Sequence, residues 1–416
     1  MQKIFLSLVL LLIFQLNLNA QDDFYFEDFV YVDNIRSVKF NPVNDLTGFP
    51  ITKLGNGTKL QLSFDDLDAV DKRYTYRLIH CDRNWNESEL DEMEYLDGFN
   101  GEEITDSYHS VQTKKKYVHY ELSLPNQYLR WTISGNFLLI IYDEDDLPII
   151  TKRLLVVDPK LAIYAEIVNP KNISQLKTHH SLKIEIDHED LYIRDPINEL
   201  SVTVVQNFKW LDAVEDIKPK NTMANKLTFD VFDPFVFQAY KEFRNFDIRS
   251  LVYTSRYVYS IQASSDKVDV VLERDKKRNY SNFISEADIN GNFIIGNDDN
   301  TFGVRGAEYV NVSFSLESPL PVENHDVYVI GAFSDWQLYE SNKMDYRSSE
   351  SVYEADILLK QGFYDYYYAL VNEAGDINLS GLEGNWYETD NTYYILVYLR
   401  EFGSYYDKLV AMYALK

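Results

Sequence analysis

The sequence predicts an all-β protein made of antiparallel sandwiches, and three observations predict this class. The chain contains 33 Tyr and 24 Phe but only five Met, and aromatic and β-branched residues favour pleated, half-buried surfaces. Short stretches alternate between apolar and polar residues, which is the period of a strand with one buried face. Turn-forming pairs such as Asn56-Gly57 and Asn290-Gly291 separate these stretches.

The alternating stretches can be assigned in order along the chain. The residues that share one face in each are Leu60, Leu62 and Phe64; Tyr74, Tyr76, Leu78 and His80; Val118, Tyr120, Leu122 and Leu124; Leu182, Ile184 and Ile186; Leu200, Val202 and Val204; and Tyr364, Tyr366, Tyr368 and Leu370. No long segment shows the helical period of 3.6 residues. We expect at most a short helix around residues 87–95.

Breaks in these patterns predict three folded units. Asp158-Pro159 interrupts a strand pattern, and a charged run at 273–278 and an Asn/Asp/Gly-rich stretch at 290–300 mark a second transition. We therefore expect an N-terminal domain at 22–158, a middle domain at 159–280 and a C-terminal domain at 305–416. Units of this length suit immunoglobulin-like sandwiches of about 100–130 residues. The aromatic stretch 229–246 is expected to be either a long ordered loop or a strand pair.

The first residues have the pattern of a cleaved secretory signal peptide over 1–20. Lys3 precedes an apolar run at 4–14, and Ala20 ends a small-residue cleavage site. Gln21 follows, so no cysteine for lipid attachment is expected at the new N-terminus. We therefore expect an exported, soluble protein without a direct lipid anchor.

Charge and cysteine content narrow the choice of partners further. A formal net charge of −26 disfavours nucleic acid and anionic lipid as partners. Cys81 is the single cysteine, so an intramolecular disulfide is impossible and packed cores must stabilise the fold.

His80-Cys81 is the first candidate for chemistry, because a Cys beside a His can be a nucleophile or a metal ligand. The alternation of residues 74–81 places the two side chains on opposite faces of a strand. A free Cys is also among the residues most often buried. We therefore predict a structural role for both residues.

The other histidines and the acidic runs form no recognised site. The remaining histidines are His109, His119, His179, His180, His188 and His325, and none has the spacing of a zinc or metalloprotease motif. His179-His180 with His188 is expected to be a solvated turn rather than a metal site. The acidic run 143–146 lacks the spacing of a calcium loop and is expected to be a hairpin turn. We expect no catalytic, cofactor-binding or metal-binding residues.

A third candidate lies in the C-terminal unit. Residues 327–336 read VYVIGAFSDW and are followed by KM at 343–344, YEAD at 353–356 and QGFYDY at 361–366. This pattern resembles the glycogen- and starch-binding early-set sandwiches, in which exposed aromatic side chains stack on sugars. Trp336 and Trp386 are therefore either a sugar platform or, as we favour, part of the sandwich core.

Two longer stretches carry a more specific resemblance. The first contains YRLIHCD at 76–82, NWN at 84–86, EYLDGF at 94–99, YVHYELSLPN at 117–126 and GNF at 135–137, and the second is EGNWYETDNTY at 383–393. In this order they resemble the plug protein family of the type IX secretion system. One departure is Asn84, where an acidic residue is expected before Trp85.

The resemblance implies a non-enzymatic periplasmic protein made of immunoglobulin-like sandwiches. Such a protein docks on the periplasmic opening of the outer-membrane translocon barrel and closes the pore when cargo is absent. The resemblance assigns no partner-binding residue in this chain, so the contacting residues stay unknown. The alternative function is that of a periplasmic carbohydrate-binding β-sandwich protein.

Overall fold

The computed structural model describes residues 24–229 and 234–416. The expected signal peptide at 1–20 lies outside the described residues. Strands are the main regular secondary structure of the described chain and helices are few and short, which confirms the predicted all-β class. Nearly all strand pairs are antiparallel. The immunoglobulin-like topology of the individual sandwiches stays a prediction.

The N-terminal module, residues 24–158, contains two sheets and a small ribbon. The first sheet contains β1 (Phe29–Val30), β3 (Ile51–Lys53), β5 (Thr75–Cys81), β7 (Glu102–Glu103), β11 (Gly135–Tyr142) and β12 (Pro148–Val157). The second contains β2 (Ile35–Pro42), β4 (Leu60–Asp66), β8 (Asp106–His109) and β9 (Val118–Leu124), and the ribbon pairs β6 (Leu96–Gly98) with β10 (Leu129–Trp131).

The middle module, residues 159–239 and 393–415, combines two distant parts of the chain. One sheet contains β13 (Ala162–Val168), β14 (His179–Asp187), β17 (Asn221–Met223), β18 (Lys226–Thr228) and β19 (Val236–Gln238). The other contains β15 (Leu200–Gln206), β16 (Val214–Ile217), β31 (Tyr393–Leu399) and β32 (Lys408–Leu415). The pairing of β15 with β31 joins Leu200 to Leu399 at one end and Gln206 to Tyr393 at the other.

The third module, residues 240–392, is an 11-stranded sheet that encloses its own core. Its strands are β20 (Arg244–Asp247), β21 (Val258–Ala263), β22 (Val268–Leu272), β23 (Asp275–Lys276), β24 (Phe293–Ile295), β25 (Tyr309–Glu317), β26 (His325–Ile330), β27 (Lys343–Arg347), β28 (Val352–Lys360), β29 (Gly362–Asn372) and β30 (Ile377–Asn378).

These modules do not coincide with the predicted units at 159–280 and 305–416. β20, which falls inside the predicted middle unit, pairs with β29 of the third module. β31 and β32, at the end of the predicted last unit, belong to the middle module. The local alternation of residues identifies strands but does not identify their partners, which explains the difference. The aromatic stretch 229–246, described apart from 230–233, contains β19 and the start of β20.

Helices are short throughout the described residues. They are α1 (Glu92–Tyr95), α2 (Pro196–Glu199) and α3 (Ser380–Glu383), with single 3₁₀ turns at Ile173–Gln175, Trp210–Asp212, Gly303–Gly306, Ala332–Ser334 and Glu340–Asn342. The expected short helix at 87–95 is therefore confined to its last four residues. None of the helices in the described chain is long and apolar enough to cross a membrane.

The predicted strand faces lie in the cores of the modules. Leu60, Leu62 and Phe64 of β4 pack in one cluster with Val118 and Tyr120 of β9. The middle and third modules have separate cores. Sequence alternation therefore predicts correctly which side of these strands faces inwards.

A fourth apolar cluster joins the N-terminal module to the middle module. It contains Cys81, Trp85, Leu138, Ile140, Tyr142, Leu155, Val157, Val205, Phe208, Leu396, Tyr398 and Leu409. These residues lie on β5, β11 and β12 on one side and on β15, β31 and β32 on the other, apart from the loop residues Trp85 and Phe208. β11 is buried along its whole length because both of its faces are covered.

Gly98 shows why one position in the first motif stretch requires glycine. Its φ is +127°, and a Cβ there would lie 1.9 Å from the carbonyl oxygen of Tyr128, which directly precedes the facing strand β10. We expect Gly98→Ala to lower the midpoint of thermal unfolding, since the backbone is strained for any L side chain and has no room for a methyl group. Gly375→Ala is the control, because Gly375 also has a positive φ but has no heavy atom within 4 Å of the added Cβ. Equal shifts of the two variants would show that backbone strain alone decides the effect.

Candidate functional site

The three modules meet at a junction closed by residues 24–31, which we call the N-terminal strap. Phe29 and Val30 of the strap pair with β12. The Arg153 guanidinium donates to the carbonyl oxygen of Phe26 through Nε at 2.9 Å and Nη2 at 2.7 Å. The backbone N–H of Val30 donates to the hydroxyl of Tyr339 at 2.9 Å. The strap therefore connects the N-terminal module to the third module.

A buried ionic group, the Asp65 cluster, joins the same two modules. The Lys360 ammonium donates to Asp65 Oδ2 at 2.6 Å, and the Tyr309 hydroxyl donates to the same oxygen at 2.6 Å. His119 Nδ1 lies 2.6 Å from Asp65 Oδ1, and His119 Nε2 lies 3.3 Å from Glu121 Oε1. The side chains of Asp65 and Lys360 are each 1% exposed. Such a pair is stable only when its remaining polar atoms are also satisfied, as they are here.

The electrostatics of the Asp65 cluster favour the charged forms of Asp65 and His119. Burial alone would raise the pKa of Asp65, but Lys360 and His119 lower it below its ordinary value. Burial alone would lower the pKa of His119, but its hydrogen bonds to Asp65 and Glu121 raise it. Burial lowers the pKa of Lys360, and Asp65 opposes that shift. The carboxylate is therefore ionised at neutral pH and faces two basic groups.

The side chains of the stretch YVHYELSLPN at 117–126 point alternately towards two opposite sides of the strand. Val118 and Tyr120 point into the N-terminal core, whereas Tyr117 and His119 alternate with them and lie on the opposite side. The Tyr117 hydroxyl lies 2.8 Å from the carbonyl oxygen of Val304, and the Lys360 ammonium lies 4.1 Å from the centroid of the Tyr117 ring. The polar face of β9 is thus a contact between modules rather than a solvent face.

A second buried group, the Asp335 cluster, also joins the N-terminal module to the third module. Lys152 of β12 forms an ion pair with Asp335 of the third module. Lys39 of β2 donates to the carbonyl oxygen of Phe293 at 2.8 Å and to the side-chain oxygen of Asn292. Burial, with the nearby Lys152, lowers the pKa of Lys39 to about 7. Burial raises the pKa of Asp335 to about 6, although Lys152 opposes the shift.

A cavity of about 420 Å³, the junction cavity, opens between the three modules. Its lining comprises Glu27, Asp28, Phe29, Asn84, Trp85, Arg153, Phe208, Trp210, Leu211, Glu215, Asp335, Trp336, Gln337, Leu338, Tyr339 and Ile377. Aromatic rings and carboxylates therefore share one enclosed space. A cavity of this size falls in the range of about 300–1,000 Å³ that ligand sites occupy.

The second motif stretch, 383–393, is also a connection between modules. The buried carboxylate of Glu383 accepts from Arg244 Nε at 3.0 Å and from Arg278 Nε at 2.7 Å, both within the third module. Burial alone would raise the pKa of Glu383, but these two guanidinium groups lower it. Asn207 Nδ2 donates to Asn391 Oδ1 at 2.7 Å where the chain returns to the middle module. Both stretches that carry the family resemblance therefore hold the modules together.

His80 and Cys81 are buried on opposite sides of β5. His80 packs against the rings of Tyr95, Phe137 and Tyr406, and burial lowers its pKa to about 4. Cys81 lies in the apolar cluster between the N-terminal and middle modules, where burial raises the pKa of its thiol. The two side chains do not converge on a common space.

The position of Cys81 predicts its reactivity. Its side chain is 0% exposed, and only the thiolate attacks disulfide reagents. We expect 5,5′-dithiobis(2-nitrobenzoate) to label Cys81 in urea but not in the folded protein at pH 8. A Cys81→Ala variant is the blank. Rapid labelling without urea would contradict the burial of this residue and the closed contact between the two modules.

The prediction that His179-His180 forms a solvated turn is wrong. Both residues begin β14, and strand alternation turns His180 inwards, where its Nδ1 lies 2.7 Å from the Tyr393 hydroxyl and its Nε2 lies 2.6 Å from the Tyr387 carbonyl oxygen. Within residues 24–229 and 234–416, no three His, Cys, Asp or Glu side chains are arranged to hold a metal ion.

The acidic run at 143–146 is the turn between β11 and β12, as predicted. Asp143 Oδ1 accepts from the backbone N–H groups of Asp145 at 3.0 Å and Leu147 at 2.9 Å. Asp146 forms an exposed ion pair with Arg77. The carboxylates therefore stabilise the turn itself.

Trp336 and Trp386 have different neighbours in the structure. Trp336 lines the junction cavity, and its ring centroid lies 5.9 Å from that of Phe243. Trp386 donates its backbone N–H to the Tyr240 carbonyl oxygen at 2.7 Å, and the Lys241 ammonium lies 5.8 Å from its ring centroid. Both indoles are part-buried.

Sequence reasoning missed the charged residues that join the modules. Asp65, Lys39 and Lys152 lie outside the motif stretches, and Lys360 directly precedes the stretch at 361–366. Charged residues on strands usually mark a solvated face. Asp335 lies within the quoted stretch 327–336 but carried no expectation of its own. Lys360 lies 295 residues from Asp65 in the sequence. The residues next to either one therefore give no indication that the two form a buried pair.

Comparisons with known proteins agree with the resemblance of the motif stretches. Residues 35–158 match the family model described as "Type 9 secretion system plug protein 1st domain". The chain is 29% identical to a hypothetical protein from Parabacteroides merdae ATCC 43184 whose crystal structure is solved, with a TM-score of 0.89 and coverage of 94% of this chain and 100% of that chain. No curated protein matches. Residues 35–158, within the N-terminal module, therefore match the first domain of the type 9 secretion system plug protein family.

Proposed function

We propose that this protein is a periplasmic plug of the type IX secretion system. It docks on the periplasmic opening of the outer-membrane translocon barrel and closes the pore when cargo is absent. The observation that carries the proposal is the family match over residues 35–158. In this proposal the protein is not an enzyme, and its activity is binding and occlusion.

The way the modules are joined suits occlusion of a pore. An apolar cluster joins the N-terminal module to the middle module, and two buried ionic groups join it to the third. Because ion pairs of this kind require defined geometry, they favour one relative position of the modules. A body held in one shape can close a pore without leaving gaps that change with domain motion.

The proposed location follows from the expected signal peptide at 1–20 and from the family. The partner is a protein rather than lipid or nucleic acid, since a net charge of −26 repels both of these. Docking must be reversible for cargo to pass, so we expect a buried area of about 1,200–2,000 Å² in total, which is typical of specific but separable complexes.

Affinity capture from gently solubilised envelopes tests the docking step. We expect the chain with a tag after Lys416 to retain an outer-membrane barrel protein identifiable by mass spectrometry, whereas the tag on an unrelated periplasmic sandwich retains none. Pore conductance in planar bilayers then tests closure, with lower conductance expected when the purified chain is added to the barrel. Failure to retain a barrel while the tag is accessible would overturn the docking proposal.

The alternative is a carbohydrate-binding protein, and one observation favours it. Trp336 shares the junction cavity with Trp85 and Trp210, and indole rings stack on sugar faces. Calorimetric titration with α- and β-glucan oligosaccharides separates the two functions. Flat titrations would remove the alternative, and saturable heats would favour it over docking.

A further inference from the structure

The junction cavity has more carboxylates than basic groups among its lining residues. Its titratable lining residues are Glu27, Asp28, Arg153, Glu215 and Asp335. Asp335 is paired with Lys152, which lies behind the lining. Three carboxylates then face the single guanidinium of Arg153. Lys39, which also interacts with Asp335, offsets part of this charge, and the carboxylates that remain attract a cation.

The Arg153 guanidinium is already engaged and cannot neutralise every carboxylate. Its centre lies 4.5 Å from the Trp85 ring centroid and 5.1 Å from the Trp210 ring centroid. The two indoles are nearly perpendicular, at 88°. Its Nε and Nη2 groups donate to the carbonyl oxygen of Phe26. The side chains of Glu27 and Glu215 form no ion pair within the described residues.

A cavity lined by aromatic rings and carboxylates suits a cationic group attached to a methylene chain, as in Arg and Lys. A ring face attracts a guanidinium or ammonium group, and this attraction strengthens where water is excluded. Lys and Arg also bury their methylene stems against apolar surfaces such as Phe29 and Leu338. An acidic ligand would be repelled by the carboxylates of the cavity. A purely apolar ligand would remove water from these carboxylates without giving them a partner, which costs free energy.

We propose that the junction cavity is a socket for an arginine or lysine side chain presented by a partner polypeptide. The proposal rests on the proposed function, in which that polypeptide belongs to the periplasmic side of the translocon. Charge complementarity with a chain of net charge −26 favours a basic segment. Because residues of all three modules line the cavity, an inserted side chain contacts the three modules together and stabilises their arrangement.

Tryptophan fluorescence tests the socket directly, because three of the five tryptophans line it. The probes are N-acetyl-arginine amide and the nearly isosteric, uncharged N-acetyl-citrulline amide. We expect saturable quenching by the arginine probe and at least tenfold weaker binding of the citrulline probe. The two probes share the methylene chain and N–H donors but differ in charge, so equal binding would show that the charge is not recognised and would overturn the cation assignment. Absence of saturable quenching by either probe would overturn the socket.

Variants that neutralise two carboxylates of the lining test whether the arginine probe binds in this cavity. Glu27→Gln with Glu215→Gln is expected to weaken the arginine probe at least fivefold, since both changes remove charge without removing volume. Glu189→Gln is the matched control, because Glu189 is exposed in the loop after β14 and does not line the cavity. An unchanged affinity in the double variant would overturn the proposal.

Affinity capture with the same variants separates this inference from the proposed function. If the original chain retains the barrel and the double variant does not, both proposals are supported. If the original chain and the double variant retain the barrel equally, the docking proposal is supported, and the proposal that the cavity contacts the partner is overturned. If the original chain binds the arginine probe but retains no barrel, the proposed function fails, and with it the assignment of the partner.

Discussion

Asp65→Asn is expected to lower the free energy of unfolding by about 3–5 kcal/mol, the usual cost of removing one partner from a buried ion pair. The change leaves the Lys360 ammonium, whose side chain is 1% exposed, without a carboxylate 2.6 Å away. It also removes the charge that raises the pKa of His119. Urea unfolding followed by tryptophan fluorescence measures the loss of stability. Because the modules need not unfold together, the free energy is taken from the first unfolding transition.

Two further variants show whether the loss comes from the pair itself. Lys360→Met in the Asp65→Asn background removes the stranded charge, so we expect it to recover part of the lost stability. Glu166→Gln breaks the exposed pair with Lys183 and is expected to leave the transition unchanged. If Asp65→Asn changed the free energy of unfolding as little as Glu166→Gln does, the burial of the Asp65 cluster between the modules would be contradicted.

Acidification from pH 6.5 to 4 is expected to destabilise the protein by roughly 3 kcal/mol through His80 alone. Burial lowers the pKa of His80 to about 4 in the folded protein, whereas an unfolded His titrates near 6.5. Between these values the unfolded chain binds a proton that the folded chain does not. Stability therefore falls as pH drops through this window, and this contribution levels off below about pH 4.

Comparison with His80→Leu isolates this contribution from that of other groups. Burial also lowers the pKa of His180, so the original chain and the variant both lose some stability in acid. We expect the variant to lose less between pH 7.5 and pH 4.5, because Leu packs against Tyr95 and Phe137 without titrating. Urea midpoints at the two pH values measure the difference. Parallel losses in both proteins would show that His80 is solvated.

The predictions from sequence succeeded where one residue's environment follows from its immediate neighbours. Alternation in β4 and β9 identified the inward faces, since side chains of a strand alternate between its two sides. The turn at 143–146 was predictable because its hydrogen bonds are local. His179-His180 was assigned wrongly because two polar residues at the start of a strand resemble a turn. The cavity was not predicted, since its lining comes from six separate parts of the chain.

By itself, the sequence determined the all-β class, the positions of most strands and the family resemblance, because these depend on local periodicity and on motifs that can be read in order. Only the tertiary structure decided that β31 and β32 return to the middle module. It also decided that Asp65 and Lys360, 295 residues apart, are buried together. Strand period specifies which face of a strand is apolar, but the choice of partner depends on packing between distant segments. The charges that hold the modules together therefore became recognisable only once those segments were in place.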